Sequence, residues 1–196
     1  MLLSVVLSAA LAAAAAPPPE VVMGEYVVAR APDTPEVRTF GVGPCLALAL
    51  YDPEAKVGAL AHVSPMDDIA PSVDEIMRDL LRAGADPRRM TARVVGGWRG
   101  GAGLGVHWTS PDMLRRLRES LRRWALVPDV SRTLVTVDLG SSGAGTLHNL
   151  RLDLETGAFE DLPASARPLE AVRSVVREPS EPGLMRPHAA SLAPGR

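Results

Sequence analysis

The chain reads Thr-Phe-Gly-Val-Gly-Pro-Cys-Leu-Ala-Leu-Ala-Leu-Tyr-Asp over residues 39–52, and Val-Gly-Ala-Leu-Ala-His-Val over residues 57–63. Both stretches contain a short apolar run, and the Asp-Pro between them favours a turn. We therefore predict an antiparallel hairpin of two strands, Cys45–Tyr51 and Gly58–Val63. This hairpin carries the single cysteine of the chain, Cys45, and a histidine, His62.

The pairing of the two strands decides whether these side chains meet. If Asp52 pairs with Ala55 across a two-residue loop, Cys45 lies directly opposite His62, with Cβ atoms about 4.5–5.5 Å apart. A slip of one residue would send the two side chains to opposite faces. A thiol and an imidazole in contact, with a nearby hydroxyl, are the minimum parts of a cysteine acyl-transfer site. The alternative is that Cys45 is a small buried apolar residue and His62 a hydrogen-bonded core residue.

Gly41 and Gly43 allow a sharp turn before the cysteine, so that backbone N–H groups near the sulfur could bind an oxyanion. The alternative is that these glycines only shape a tight loop. Pro44 has no N–H, so any donor near it must come from Cys45 or another residue.

This order of residues resembles the CheD family of bacterial chemoreceptor glutamine deamidases. The resemblance is carried by Thr-x-Gly-x-Gly-x-Cys, an apolar strand ending in Tyr-Asp-Pro, and Gly-x-x-Ala-His. It extends from about Met23 to about Phe159. Other segments that fit the family are Gly24–Val28, Leu81–Asp86 with Arg88 and Arg89, Val95–Gly97, Asp138–Gly140 and Thr156–Gly157.

The resemblance implies a protein-glutamine glutaminase, a cysteine-dependent amidohydrolase, with Cys45 as nucleophile, His62 as its base and Thr39 assisting. We expect the pair to hold a thiolate readily, so that alkylation of Cys45 saturates below the ordinary thiol pKa of about 8.5. No metal or organic cofactor is implied. The implied partners are the cytoplasmic domains of chemoreceptors, as substrate, and a CheC-like phosphatase.

The chain departs from the family pattern at three places. Pro44 stands where the family has serine. The segment Val106-His107-Trp108, after Gly105, replaces a Gly-Glu-Arg-Asn-like segment, and Leu147-His148 replaces Gly-Arg. These departures favour one alternative, a catalytically weakened member that acts as a binding module in chemotaxis adaptation.

Composition sets limits on the class of protein. The 196 residues are 46% hydrophobic, enough for one sizeable core, and the net charge is −2. That charge gives no electrostatic reason to expect nucleic-acid or anionic-membrane binding. A single cysteine excludes an intrachain disulfide. His107, His148 and His188 show no metal-ligand spacing.

We expect three regions: a signal-like or spurious extension over residues 1–22, a deamidase domain over 23–162, and a Pro-rich, disordered tail over 163–196, with one short helix near Leu169–Arg177. Leu2–Ala16 is apolar like the core of a signal peptide but has no preceding Lys or Arg. At about 15 residues it is short for a membrane span of roughly 20. We expect a cytoplasmic protein without stable membrane insertion. The alternative is an exported cysteine amidohydrolase.

Two helices are predicted, one beginning with a capping box at Ser72 and stopping at Gly84, the other capped by Ser110 and ending before Pro128. The second has a buried stripe that includes Trp124. Its outer face is arginine-rich, which indicates a solvated surface or a docking patch for an acidic partner. Gly96–Gly105 is interpreted as a mobile loop carrying Trp98 beside the site, or as a plain surface loop.

The predicted fold is therefore α/β, a single-domain layered sandwich of mixed, mostly antiparallel strands with two main helices. The remaining predicted strands are Tyr26–Ala29, Arg93–Val95, Leu134–Asp138 and Leu147–Leu154.

Overall fold

The computed structural model describes residues 17–99, 110–136, 147–163 and 183–192. Within them the chain forms ten strands and two helices, arranged in three layers. The strands are β1 (Glu20–Val21), β2 (Glu25–Arg30), β3 (Glu36–Val42), β4 (Leu46–Asp52), β5 (Val57–Val63), β6 (Thr91–Arg99), β7 (Asp129–Thr136), β8 (His148–Asp153), β9 (Phe159–Asp161) and β10 (Arg186–Pro187). The helices are α1 (Ile69–Arg82) and α2 (Ser110–Arg122).

The central layer is a six-stranded sheet with the order β10-β2-β5-β4-β6-β7. A four-stranded sheet, β1-β3-β8-β9, lies on one side of it and the two helices lie on the other. Five of the eight strand pairs are antiparallel and three are parallel. The prediction of a layered α/β sandwich with two helices is confirmed.

Strand β4 shows why this layering follows from the sequence. Alternate residues of a strand face opposite sides. The large residues Leu46, Leu48 and Leu50 pack with the helices, while the small residues Ala47 and Ala49 face the second sheet. All seven residues of β4 are buried, as expected for a strand covered on both faces.

The hairpin is present, but the predicted register is wrong. Asp52 pairs with Val57, not Ala55, and Ala47, not Cys45, lies opposite His62. The loop is four residues long because Lys56 adopts φ +49°, and because the Asp52 carboxylate accepts N–H bonds inside the turn. The shift is two residues, so Cys45 keeps the face that was predicted.

The start predicted for α1 is also wrong, since the helix begins at Ile69 and Ser72 lies within its first turn. The Ser72 hydroxyl donates to the Asp68 carbonyl (2.7 Å) and accepts the N–H of Met185 (3.0 Å), so tertiary contacts use the hydroxyl that a capping box would need. Helix α2 does begin at Ser110, as predicted. Trp124 follows its end and is partly buried against the core.

Three further findings differ from the sequence predictions. Strands β1, β3, β9 and β10 were not predicted. Gly96–Arg99 belong to β6 rather than to a loop. Residues 183–192, within the segment expected to be disordered, pack along β2, with Met185 buried. We call these ten residues the C-terminal strap.

Several predictions concern residues outside the described ranges: the signal-like run, the short helix near Leu169–Arg177, the family segment Asp138–Gly140 and the departure at Val106-His107-Trp108. In the part of the chain that is described, no helix is long and apolar enough to cross a membrane.

Candidate active site

The three residues predicted to act together lie between the two sheets. His62 projects from β5 on the face that packs against the four-stranded sheet, and Thr39 reaches it from β3. Cys45 lies just before β4, two positions ahead of the residue that faces His62. Cys45 and His62 are therefore diagonal neighbours on one face, an arrangement in which the two residues lie about 7–8 Å apart.

Thr39 fixes the orientation and the tautomer of His62. Its Oγ1 lies 2.8 Å from the Val21 carbonyl oxygen and 2.9 Å from His62 Nδ1. A carbonyl can only accept, so the single hydroxyl proton of Thr39 is donated to Val21. Thr39 must then accept the Nδ1–H of His62, which leaves the lone pair of His62 on Nε2. An imidazole held this way can take a proton through Nε2.

His62 is 4% exposed, and burial lowers its pKa to about 4. The cause is desolvation, because a charged imidazolium loses its hydration in this environment. His62 is therefore neutral near pH 7, which is the protonation state that a general base requires.

Cys45 is also buried, with 6% of its surface exposed. Its Sγ contacts the Met23 Sδ at 3.7 Å, and no hydrogen bond joins it to His62 among the described residues. Burial, with a smaller contribution from the charge of Asp67, raises the pKa of the thiol to about 12. The expectation of a thiolate-holding pair with a depressed pKa is therefore wrong for this resting arrangement. The reason is desolvation, which no sequence pattern reveals.

The loop before the cysteine is held tightly. The Gly97 N–H donates to the Gly43 carbonyl (2.8 Å), and the Ser110 hydroxyl donates to the Pro44 carbonyl (2.7 Å). A Cβ at Gly43 would come within 2.9 Å of both the Leu147 and Trp98 side chains, so both would have to shift to admit a larger residue. Trp98 thus lies beside the loop that precedes Cys45, on β6 and not on the mobile loop that was predicted to carry it.

Not every backbone N–H group near Cys45 is available to bind an oxyanion. The Gly41 N–H is already used, since it donates to Asn149 Oδ1 at 3.1 Å. The backbone N–H groups of Gly43 and Cys45 donate to no acceptor among the described residues. These two are the candidate donors to a developing oxyanion.

Sequence reasoning missed Asp67, which is 6% exposed and accepts the Ser64 N–H at 2.6 Å. Burial raises its pKa to about 6, although the Ser64 N–H and the charge of Arg186 act in the opposite direction. It also missed Met23 and the Val21 carbonyl. Only the proximity of Met23 to Gly24-Glu25-Tyr26, a segment that fits the family, could have drawn attention to it.

The described residues contain no group of three or more His, Cys, Asp or Glu side chains placed to hold a metal ion. The arrangement is a buried thiol, an oriented neutral imidazole and two amide N–H groups that have no acceptor within the described ranges. These are the kinds of group that nucleophilic attack on a carbonyl carbon requires.

The fold and these residues define an α/β sandwich protein with a candidate cysteine–histidine–threonine site. No protein-family model matches the chain. Among curated relatives, the probable chemoreceptor glutamine deamidase CheD of Archaeoglobus fulgidus is 33% identical over 139 residues, 64% of this chain and 82% of its own length. The probable chemoreceptor glutamine deamidase CheD of Symbiobacterium thermophilum is 35% identical over 150 residues, 69% and 86% of the two chains.

The probable chemoreceptor glutamine deamidase CheD of Thermococcus kodakarensis is 30% identical over 152 residues, 70% of this chain and 88% of its own. The chain therefore belongs to the CheD family.

Proposed function

We propose that this protein hydrolyses the side-chain amide of specific glutamine residues on methyl-accepting chemotaxis receptors and converts them to glutamate. The names of the three relatives support the substrate class. The observation that carries the mechanism is the hydrogen-bond chain from Val21 through Thr39 to His62, because it leaves the Nε2 lone pair free on the face that Cys45 shares.

In the first half-reaction, His62 Nε2 takes the thiol proton as Cys45 Sγ forms a bond to the carboxamide carbon. The carbonyl oxygen becomes an oxyanion, which the amide N–H groups of Gly43 and Cys45 stabilise. The C–N bond then breaks, the nitrogen takes the proton from Nε2, and ammonia leaves. The product is a thioester on Cys45.

In the second half-reaction, His62 removes a proton from water as the water oxygen attacks the thioester carbon. The C–S bond breaks, and the sulfur recovers its proton from His62. The sum is one amide and one water converted to one carboxylic acid and one ammonia. This chemistry requires no cofactor, and Thr39 keeps the same imidazole tautomer ready in both steps.

The test is ammonia release from purified receptor cytoplasmic fragments, together with mass spectrometry for the mass gain of amide-to-acid conversion. We expect release by the wild type and none by Cys45→Ala, with binding of the fragment retained. If the wild type releases no ammonia from any receptor fragment, the proposed function is wrong.

The second candidate is a binding module that has lost activity. It is favoured by one observation, namely that Cys45 rests as a buried neutral thiol without a hydrogen bond to His62. This candidate predicts equal binding of receptor fragments by the wild type and Cys45→Ala, and no mass change with either protein. A CheC-like phosphatase partner and a cytoplasmic location belong to both proposals.

A further inference from the structure

Met23 covers the candidate nucleophile. Its sulfur lies 3.7 Å from Cys45 Sγ, and its side chain is 42% exposed while the cysteine is 6% exposed. Met23 is therefore the outer member of this contact. A methionine side chain has three rotatable bonds and changes shape at low cost, so it can move without disturbing the core.

The backbone at Met23 forms a tight turn that is hydrogen-bonded to the β4–β5 hairpin. The Glu25 N–H donates to the Val22 carbonyl (3.0 Å), and Gly24 adopts φ +76°. The Gly24 N–H donates to the His62 carbonyl at 2.9 Å. The turn that positions Met23 is thus bonded directly to the residue proposed as the base.

The C-terminal strap is hydrogen-bonded to the same turn. The Arg186 N–H donates to the Gly24 carbonyl at 2.9 Å, so both polar backbone groups of Gly24 are bonded. The strap is in turn fixed by its Gly183 carbonyl, which accepts the Asp68 N–H (2.9 Å), and by the Met185 N–H on the Ser72 hydroxyl. Backbone hydrogen bonds therefore connect the strap to the turn and the turn to the β4–β5 hairpin.

We propose that Met23 controls access to Cys45, and that the C-terminal strap sets how readily the Val22–Glu25 turn moves to admit a substrate. A glutamine side chain must displace the Met23 thioether before its carboxamide carbon reaches Sγ. The inference rests on the proposed function only for the identity of that side chain. Access itself concerns the thiol and can be measured without any receptor.

The first experiment measures alkylation of Cys45 in the full chain with two reagents of different size, iodoacetamide and a bulky maleimide. Met23→Ala should accelerate iodoacetamide by about fivefold, equivalent to about 1 kcal/mol, and the maleimide by more. Met23→Leu should behave like the wild type. The matched control is Leu81→Ala, since Leu81 is 40% exposed on α1, and it should change neither rate.

The two reagent sizes distinguish a change in access to the Cys45 thiol from a change in its pKa. If Met23→Ala only changed the pKa of the thiol, the pH midpoint would move and both reagents would gain equally. Equal gains, or no gain, would overturn the role assigned to Met23.

The second experiment tests the strap with a pair of variants at one position. Arg186→Pro removes the N–H that donates to Gly24, whereas Arg186→Ala removes the charge and keeps the N–H. We expect Arg186→Pro to alkylate faster than Arg186→Ala at every pH. Equal rates for these two variants would overturn the role of the strap.

The outcomes are distinguishable from those that test the proposed function. Faster alkylation of Met23→Ala combined with no ammonia release by any variant would leave the access control standing and reject the deamidase. Ammonia release by the wild type, with an alkylation rate of Met23→Ala equal to that of the wild type, would support the deamidase and reject the access control.

Discussion

The hydroxyl of Thr39 lies 2.9 Å from His62 Nδ1 and 2.8 Å from the Val21 carbonyl oxygen, and these two distances together fix where the imidazole keeps its proton. A residue on one sheet therefore sets the protonation geometry of a residue on the other. The carbonyl, which accepts and never donates, determines the direction of the whole chain of hydrogen bonds.

We predict that Thr39→Val lowers kcat for ammonia release by about 10²–10⁴-fold, the range typical of losing an oriented general base, while Thr39→Ser keeps most of it. Valine matches the shape of threonine but removes both the acceptor of the His62 Nδ1–H and the hydroxyl that donates to the Val21 carbonyl. Steady-state kinetics on receptor fragments would check this. Near-equal kcat for the two variants would show that the hydroxyl does not orient His62.

The ionisation of Cys45 gives the next prediction. Because burial and then the charge of Asp67 raise the pKa of the thiol to about 12, iodoacetamide alkylation of the free protein should keep rising with pH well above 8.5. Asp67→Asn removes the negative charge and should shift the profile to lower pH. A rate that levels off below 8.5 in the wild type would indicate a thiolate–imidazolium pair at rest instead.

The free energy of unfolding at acid pH should depend on the protonation of His62. Its pKa is lowered to about 4 in the folded state, below the ordinary value of 6.5, so the folded state disfavours the protonated ring. The stability associated with the neutral ring is present above pH 6.5 and is lost as the pH falls from 6.5 towards 4. The loss approaches about 3 kcal/mol, since one pKa unit corresponds to about 1.4 kcal/mol.

Urea unfolding of the wild type and His62→Gln at several pH values would measure this loss. The glutamine variant should lack that part of the pH dependence, while His188→Gln on the strap should keep it. The wild type must be compared with the variant because the pKa of Asp67 is raised. Over part of this pH range Asp67 therefore changes the free energy of unfolding in the opposite direction. Identical pH profiles for the wild type and His62→Gln would contradict the buried neutral imidazole.

The end of β4 depends on Asp52. Its buried side chain accepts the N–H groups of Glu54, Ala55 and Asp86, and it pairs with Arg89 at 2.7 Å. Although burial by itself would raise the pKa of this carboxyl, the bonds from Arg89 and the three backbone N–H groups lower it to about 2.

We predict that Asp52→Ala lowers the free energy of unfolding by about 3 kcal/mol or more, because it leaves several buried donors without an acceptor. The matched control is Glu54→Ala in the same turn, which should cost little because the Glu54 side chain is largely exposed. Urea unfolding at neutral pH measures both. A loss below that of the Glu54 variant would be inconsistent with the role given to Asp52.

The sequence predicted what is local in this fold. The apolar runs before and after Asp52-Pro53 define the hairpin, and the Ser110-Pro111 start defines α2, because both signals lie within a few residues of the structure they specify. The register failed by two residues because the positive φ of Lys56 lengthens the loop, and no residue type there announces it. The error preserved the face of Cys45, so the prediction that Cys45 and His62 share one face of the sheet was still correct.

Features that depend on contacts between distant parts of the chain could not be predicted from the local sequence pattern. The Ser72 hydroxyl is taken by Met185, more than a hundred residues away, and this contact overrides the capping signal. The pKa values of Cys45 and His62 follow from burial between two sheets, which composition does not reveal. Thr39 entered only through the family resemblance, although the alternating burial of β3 gives it a clear structural reason to face His62.

The most direct measurement is mass spectrometry of the Cys45 peptide from protein that is quenched with acid during turnover of a receptor fragment. We predict a thioester-linked adduct on Cys45 in the wild type, no adduct in His62→Gln, and release of the adduct as glutamate when the quench is delayed. Receptor deamidation that proceeds while Cys45 stays unmodified at every time point would contradict this prediction.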